Sequence, residues 1–134
     1  MKNKKKYTGI IVPAITPLTE KLQLDEVAVE KIFTSFYKNN IAPFILGTTG
    51  EAVSLPMSIK KDYVLAAEKN KKMGSLLYAG ISSNVLTESI EFAAYCCLHA
   101  VDVVVVTLPS YYLLTEKQML QYFKLLADNI TLPL

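Results

Sequence analysis

The chain has 134 residues, 51% hydrophobic and 19% charged, which is the balance of a single globular domain rather than of a disordered or fibrous chain. Its formal net charge is +2, but four of the fourteen basic residues sit in the opening "MKNKKK" and the remainder is slightly acidic, which argues against a nucleic-acid partner. All fourteen are lysine, so there is no arginine fork to grip a carboxylate or phosphate, and any bound anion has to use backbone N–H groups, hydroxyls or lysine.

In chain order, residues 1–6 read as a basic disordered N-terminus, and residues 7–134 as one domain. The basic run precedes the apolar "GIIVPAITPL", but two prolines interrupt that stretch and no small-x-small pattern follows, so it does not read as a secretory leader. Gly9–Thr16 is a first short strand. Next, "LDEVAVEKIFTSFYKN" places Val29, Ile32, Phe33, Phe36 and Tyr37 on one face of a helix. The unit repeats with "APFILG" from Ala42 and a helix from about Ser58 to Lys71, whose inner face is Ile59, Tyr63, Ala66 and Ala67. "SLLYAG" leads into a helix from about Val85 to Leu98, with Leu86, Ser89, Ile90, Ala93, Ala94 and Cys97 on one side. "DVVVVTLP" leads into a helix from near Thr115, with Leu120, Phe123, Ala127 and Ile130 inward, and "LPL" opens a fifth strand.

Strand starts near residues 9, 42, 76, 102 and 132 are spaced as βα units, which predicts an α/β fold with a parallel sheet and helices outside it. Near-continuous strand hydrophobicity predicts that both sheet faces are buried. Every strand ends in small or hydroxyl residues: Thr16, Gly47 to Gly50, Gly80 before Ser82-Ser83-Asn84, and Thr107. An open doubly wound sheet focuses its ligand at one switch point, whereas a (β/α)8 barrel gathers all its strand ends at one mouth, so the even spread favours the barrel. A complete barrel takes about 250 residues, so the chain is expected to supply about the first four βα units and the start of strand 5.

The run "AVDVVVVTL" contains Asp102 and falls far short of the roughly 20 residues of a membrane helix, so no membrane partner is expected. Cys96 and Cys97 are adjacent and read as small buried apolar residues, both reduced, of a cytoplasmic protein. They and the single histidine, His99, leave few metal ligands, so neither a metal nor a cofactor is expected, and His99 reads as structural near a helix end. Lys60-Lys61 and Lys69-Lys71-Lys72 read as solvated helix faces.

Two stretches carry candidate chemistry. "ILGTTGEAVSLP", Ile45 to Pro56, lacks the lysine-hydroxyl tail of a P-loop and the third glycine of a dinucleotide fingerprint. On its own it reads as a tight strand exit made by Gly47 and Gly50, with Glu51 facing solvent or capping a backbone group. "TLPSYYLLTEKQM", Thr107 to Met119, sets a tyrosine pair beside a strand end, where a phenol is able to shuttle protons or simply to pack.

Taken together with "YTGIIVPAITPL", these stretches resemble the dihydrodipicolinate synthase / N-acetylneuraminate lyase family of pyruvate-handling class I aldolases, over about Tyr7 to Leu134. The resemblance implies a (β/α)8 barrel in which a sixth-strand lysine forms a Schiff base with a 2-oxo acid, pyruvate, and an enzyme that is a homo-oligomer, a dimer or tetramer. It implies that Thr48 relays protons by its hydroxyl, that Thr49 holds the pyruvyl carboxylate by hydroxyl and backbone N–H, and that Gly47 and Gly50 belong to the same substrate-binding motif. Tyr111 matches the tyrosine that reaches into the partner subunit's site, with Tyr112 as the alternative if the register slips by one.

The family's fifth-strand tyrosine and sixth-strand lysine have no counterpart up to Leu134, so this chain alone is expected to be inactive. Some members bind lysine as an inhibitor. Asn84 and Glu88 fit that pattern, but Met57 and Lys60 replace its histidines and Ser110 its tyrosine, which implies no lysine feedback. "GTTGE" leans towards 4-hydroxy-tetrahydrodipicolinate synthase, which joins pyruvate to aspartate semialdehyde. N-acetylneuraminate lyase and 2-keto-3-deoxy sugar acid aldolases or dehydratases are the alternatives within the family. The alternative of another class is a truncated, non-catalytic half-barrel that self-associates through its open edges.

Overall fold

A computed structural model of the chain describes residues 7–134, and the basic opening lies outside the described residues. Four strands alternate with four helices: β1 (Ile10–Pro13), α1 (Glu26–Lys38), β2 (Ile41–Ile45), α2 (Met57–Asn70), β3 (Tyr78–Gly80), α3 (Leu86–Leu98), β4 (Val103–Val105) and α4 (Glu116–Asn129). A 3-10 turn at Ala52–Ser54 precedes α2. Local chemistry sets the helix starts. The Asp25 carboxylate accepts from the Ala28 N–H at 2.9 Å to cap α1, and Thr115 with Gln118 forms a reciprocal capping box on α4.

The strands pair in the order β1-β2-β3-β4, every pair parallel, with Ile10 opposite Ile41, Phe44 opposite Tyr78, and Tyr78 opposite Val103. A doubly wound sheet reverses its order at a switch point, but here each connection moves one strand along in the same direction. The architecture is that of the first four βα units of a (β/α)8 barrel. Residues 132–134 form no strand, but the Val104 N–H donates to the Pro133 carbonyl at 2.9 Å, the one ladder-like bond where the fifth strand was expected.

Val29 and Phe33 of α1, Tyr63 and Val64 of α2, Leu77 just before β3 and Val104 of β4 form the centre of the core. Three expectations need correction. On α3 the buried residues are Ser89, Phe92, Ala93 and Cys96, while Ala94 and Cys97 are exposed. On α4 Tyr122 and Leu126 are buried and Leu120 and Ala127 exposed. Both helices carry apolar residues on more than one face, so periodicity leaves the buried arc open, and packing selects the i, i+3, i+4, i+7 set Ser89, Phe92, Ala93 and Cys96 on α3 and the i, i+4 pair Tyr122 and Leu126 on α4. Burial of both faces also fails at β1, where Ile10 is 63% and Ile11 43% exposed, because among the described residues β1 has a neighbour on one side alone.

Polar side chains tie the elements at the amino-terminal end of the sheet. His99, the residue closing α3, sits with Nδ1 3.0 Å from Glu68 Oε2 and its ring 4.4 Å from that of Tyr95, the structural role its sequence position suggested. Lys71 is not a solvated lysine: its ammonium is 2.6 Å from Asp102 Oδ2 and 2.6 Å from the Ala100 carbonyl. The two thiols differ as well. Burial, with a smaller contribution from Cys97, pushes the Cys96 thiol up to about 12, whereas Cys97 is exposed. Because the thiolate is the nucleophile, iodoacetamide at mildly alkaline pH should add one group to the native protein, on Cys97. Equal labelling of both cysteines, read by peptide mass mapping, would contradict this burial pattern.

Candidate active site

β2 leaves the sheet through Leu46, a buried non-glycine residue at φ 58°, and the chain then closes a tight turn over Gly47-Thr48-Thr49-Gly50. The Gly50 N–H donates to the Gly47 carbonyl at 3.1 Å and the Glu51 N–H to the Thr48 carbonyl at 2.9 Å. Glu51 is also left-handed, at φ 51°, and is exposed without capping a backbone group. The left-handed positions are therefore Leu46 and Glu51, and neither glycine of the motif uses positive φ. The glycines supply space instead. A Cβ at position 47 would stand 2.9 Å from the Phe44 ring, and one at position 50 would stand 3.1 Å from both the Ala14 carbonyl oxygen and Thr16 Oγ1.

This geometry leaves a particular set of donors free. The N–H groups of Gly50 and Glu51 are consumed inside the turn, whereas the N–H groups and hydroxyls of Thr48 and Thr49 have no hydrogen-bond partner among the described residues. Both threonines are exposed at the carboxyl end of β2. Adjacent N–H and hydroxyl donors of this kind suit a small carboxylate.

Tyr111 lies in the loop after β4, 88% exposed, with its ring packed edge-on against that of Tyr112 at a centroid distance of 4.9 Å. Its φ of 82° is costly for a non-glycine residue, and Tyr112 carries no such strain. The loop is tethered next door, where the Ser110 N–H donates to Asn84 Oδ1 at 2.8 Å. Among the described residues the Tyr111 hydroxyl has no hydrogen-bond partner, so this chain does not join Tyr111 to its own Thr48.

At the same end of the sheet lies a cavity of about 680 Å³ between α2, α3 and the loops after β3 and β4, bordered by Met57, Lys60, Asn84, Glu88 and Ser110. Neither Thr48, Thr49 nor Tyr111 borders it. Lys60, like Lys71, departs from the solvated helix face the sequence suggested, since it borders this cavity. Burial draws its ammonium below the ordinary lysine range, with the Glu88 charge opposing the shift. The signal was present: Lys60 stands three and four residues before buried Tyr63 and Val64, and so lies over the inner face of α2.

No helix among the described residues is long and apolar enough to cross a membrane, and no group of three histidine, cysteine or acidic side chains among them could hold a metal ion. The sequence model of the Dihydrodipicolinate synthetase family matches residues 6–134. The chain belongs to this family. It is 31% identical over 130 residues to 4-hydroxy-tetrahydrodipicolinate synthase 1 of Clostridium acetobutylicum, with 96% of this chain and 44% of that protein covered. Among solved structures it superposes on YagE, a prophage protein of the dihydrodipicolinic acid synthase family from Escherichia coli K12 in complex with pyruvate. That match has a TM-score of 0.89 at 28% identity and covers 95% of this chain and 43% of the other. Dihydrodipicolinate synthase of Bacteroides thetaiotaomicron matches at a TM-score of 0.87 and 27% identity, with 93% and 42% covered. The chain thus spans less than half the length of these relatives, and its four βα units fall on their family's fold.

Proposed function

We propose that this chain carries part of the active site of a pyruvate-dependent, Schiff-base-forming lyase or synthase, most like 4-hydroxy-tetrahydrodipicolinate synthase. The observation that carries the reading is the pair of unpartnered threonines, Thr48 and Thr49, at the end of β2 in a chain without arginine. Thr49 offers its N–H and hydroxyl to the 2-oxo acid carboxylate, and Gly47 and Gly50 give the turn the room it needs. Thr48 offers a hydroxyl that is able to accept one proton and pass on another. The strain at Tyr111 supports that residue over Tyr112 as the relay tyrosine, and its exposure suits a side chain that completes its work in a second subunit.

The reaction follows from the chemistry of an iminium. A lysine amine adds to C2 of pyruvate and water leaves; the iminium then accepts the electron pair released when a methyl proton is removed, and the resulting enamine attacks an aldehyde. In this reading the lysine belongs to a sixth strand, which these four βα units do not include. The 134-residue chain accordingly binds pyruvate weakly and forms no covalent adduct.

Titrating pyruvate into the isotope-labelled chain should shift the backbone amide signals of Thr48, Thr49 and Gly50, and borohydride should then trap no added mass. Silent amides at Thr49 and Gly50 would remove the carboxylate grip. A trapped adduct on any lysine would place the Schiff base within this chain. Lysine added to the same sample should leave the Asn84 and Glu88 signals unmoved, since the Lys60 ammonium lining their cavity repels a cationic ligand; saturable shifts there would reverse that expectation.

A further inference from the structure

Three consecutive residues at the exit of β1 are each bonded to a different part of the second βα unit. The Ala14 N–H donates to the Phe44 carbonyl on β2 at 2.8 Å. The Ile15 carbonyl accepts from the Tyr63 hydroxyl of α2 at 2.8 Å. The Thr16 hydroxyl donates to the Gly50 carbonyl at 2.7 Å. Pro17 follows and restricts Thr16 to extended backbone, which keeps its hydroxyl from wandering.

The acceptor in the last bond is informative. The Gly50 carbonyl and the Glu51 N–H belong to one peptide plane, and that N–H already donates to the Thr48 carbonyl at 2.9 Å. Thr16 therefore grips the other side of the same plane, and its rotation is blocked from both ends. This peptide closes the turn that presents Thr48 and Thr49. Tyr63 acts one step further back. Its side chain is buried in the core, and its hydroxyl meets the Ile15 carbonyl. Losing that hydroxyl leaves a carbonyl without its partner next to Thr16. Burial also raises the Tyr63 phenol well above its ordinary range, so it is a neutral donor at neutral pH.

We infer that Thr16 and Tyr63 are positioning residues for the Thr48–Thr49 turn: Tyr63 fixes the β1 exit, and Thr16 passes that constraint to Gly50. The consequence for a 2-oxo acid ligand rests on the functional reading given above, whereas the constraint on the turn does not. Residues at opposite ends of this relay lie 34 and 48 positions apart in sequence.

The test compares Thr16→Val, Thr16→Ser and Tyr63→Phe with the parent chain, by amide hydrogen exchange and by pyruvate titration on the labelled protein. Thr16→Val keeps the side-chain shape and removes the donor. Exchange at the Glu51 N–H should rise by roughly tenfold, the scale set by losing one charge-neutral hydrogen bond, with amides in α4 unchanged. Thr16→Ser should restore the parent rate, and Tyr63→Phe should raise the Glu51 rate by a smaller factor. The pyruvate-induced shift at Thr49 should need roughly tenfold more ligand in Thr16→Val. Unchanged exchange at Glu51 in Thr16→Val would overturn the inference, as would a rise spread equally over α4. If Thr16→Val does not fold, Tyr63→Phe decides, and Glu51 exchange equal to the parent overturns it. Absence of any pyruvate shift in the parent protein would overturn the ligand reading alone, since the exchange rates report the turn without ligand.

Discussion

Gly80→Ala lowers the stability of the chain by about 3 kcal/mol, the upper part of the range for forcing an extra methyl into a packed site. A Cβ at Gly80 would stand 2.0 Å from the Leu46 carbonyl oxygen and 2.8 Å from its carbonyl carbon. Both are backbone atoms, so no side-chain rotation relieves the clash and β2 or β3 must move. Leu46 has little freedom to give way, because it is buried and held at φ 58° where the chain turns out of β2. The substitution therefore bears on the threonine turn directly. The urea unfolding midpoint measures the loss, and the amide signals of Gly47 to Glu51 should shift more than those of α4. A variant within about 0.5 kcal/mol of the parent, the usual span of a neutral surface change, would mean that the Leu46 carbonyl does not constrain position 80.

Asp102→Ala should cost a similar amount, about 3 kcal/mol, from the opposite end of the sheet. Asp102 Oδ2 accepts from the Leu77 N–H at 2.8 Å and from Lys71 Nζ at 2.6 Å. Leu77 is fully buried, so removing the carboxylate strands a backbone donor away from water. It also leaves Lys71, whose side chain is 17% exposed, with the Ala100 carbonyl as its remaining acceptor among the described residues. Full burial of such a pair would imply up to about 5 kcal/mol, but Asp102 is 28% exposed and water screens part of the loss. Asp102→Asn keeps an oxygen for the Leu77 N–H and loses the charge, so it should fall between parent and Asp102→Ala. The same denaturation curves order the three proteins. Asn as damaging as Ala would move the weight from the stranded N–H to the ion pair.

Local pattern made much of this fold legible. Thr115 marks the start of its helix because a cap needs one oxygen beside N–H groups two or three residues on. Val29 and Phe33, and Ile59, Tyr63, Ala66 and Ala67, appear at helical spacing and are buried. The pattern became ambiguous where apolar residues are abundant. Cys96 and Cys97 are equally plausible core residues by composition, and contact with the rest of the fold chose Cys96. Lys71 reads as a surface lysine from its neighbours Lys69 and Lys72, and it is Asp102, 31 positions away, that makes it a clamp.

The candidate site divides in the same way. Gly47 to Glu51 stands out as a motif in the chain, and the family it belongs to follows from motif order along residues 6–134. How the motif works is a matter of packing. Its glycines serve as gaps against Phe44 and the β1 exit, while Leu46 and Glu51 take the left-handed turns. Its orientation depends on Thr16 and, through Ile15, on Tyr63.

The sequence by itself determined the alternation of strand and helix, the βα period, the threonine motif and the tyrosine pair, because each is written in residues a few positions apart. Tertiary structure alone decided that the strand order never reverses, that Gly80 must lack a side chain, that Lys60 lines a cavity, and that Thr16 holds Gly50. Those features join residues tens of positions apart, and such contacts exist only once strand register and helix packing have brought distant backbone together.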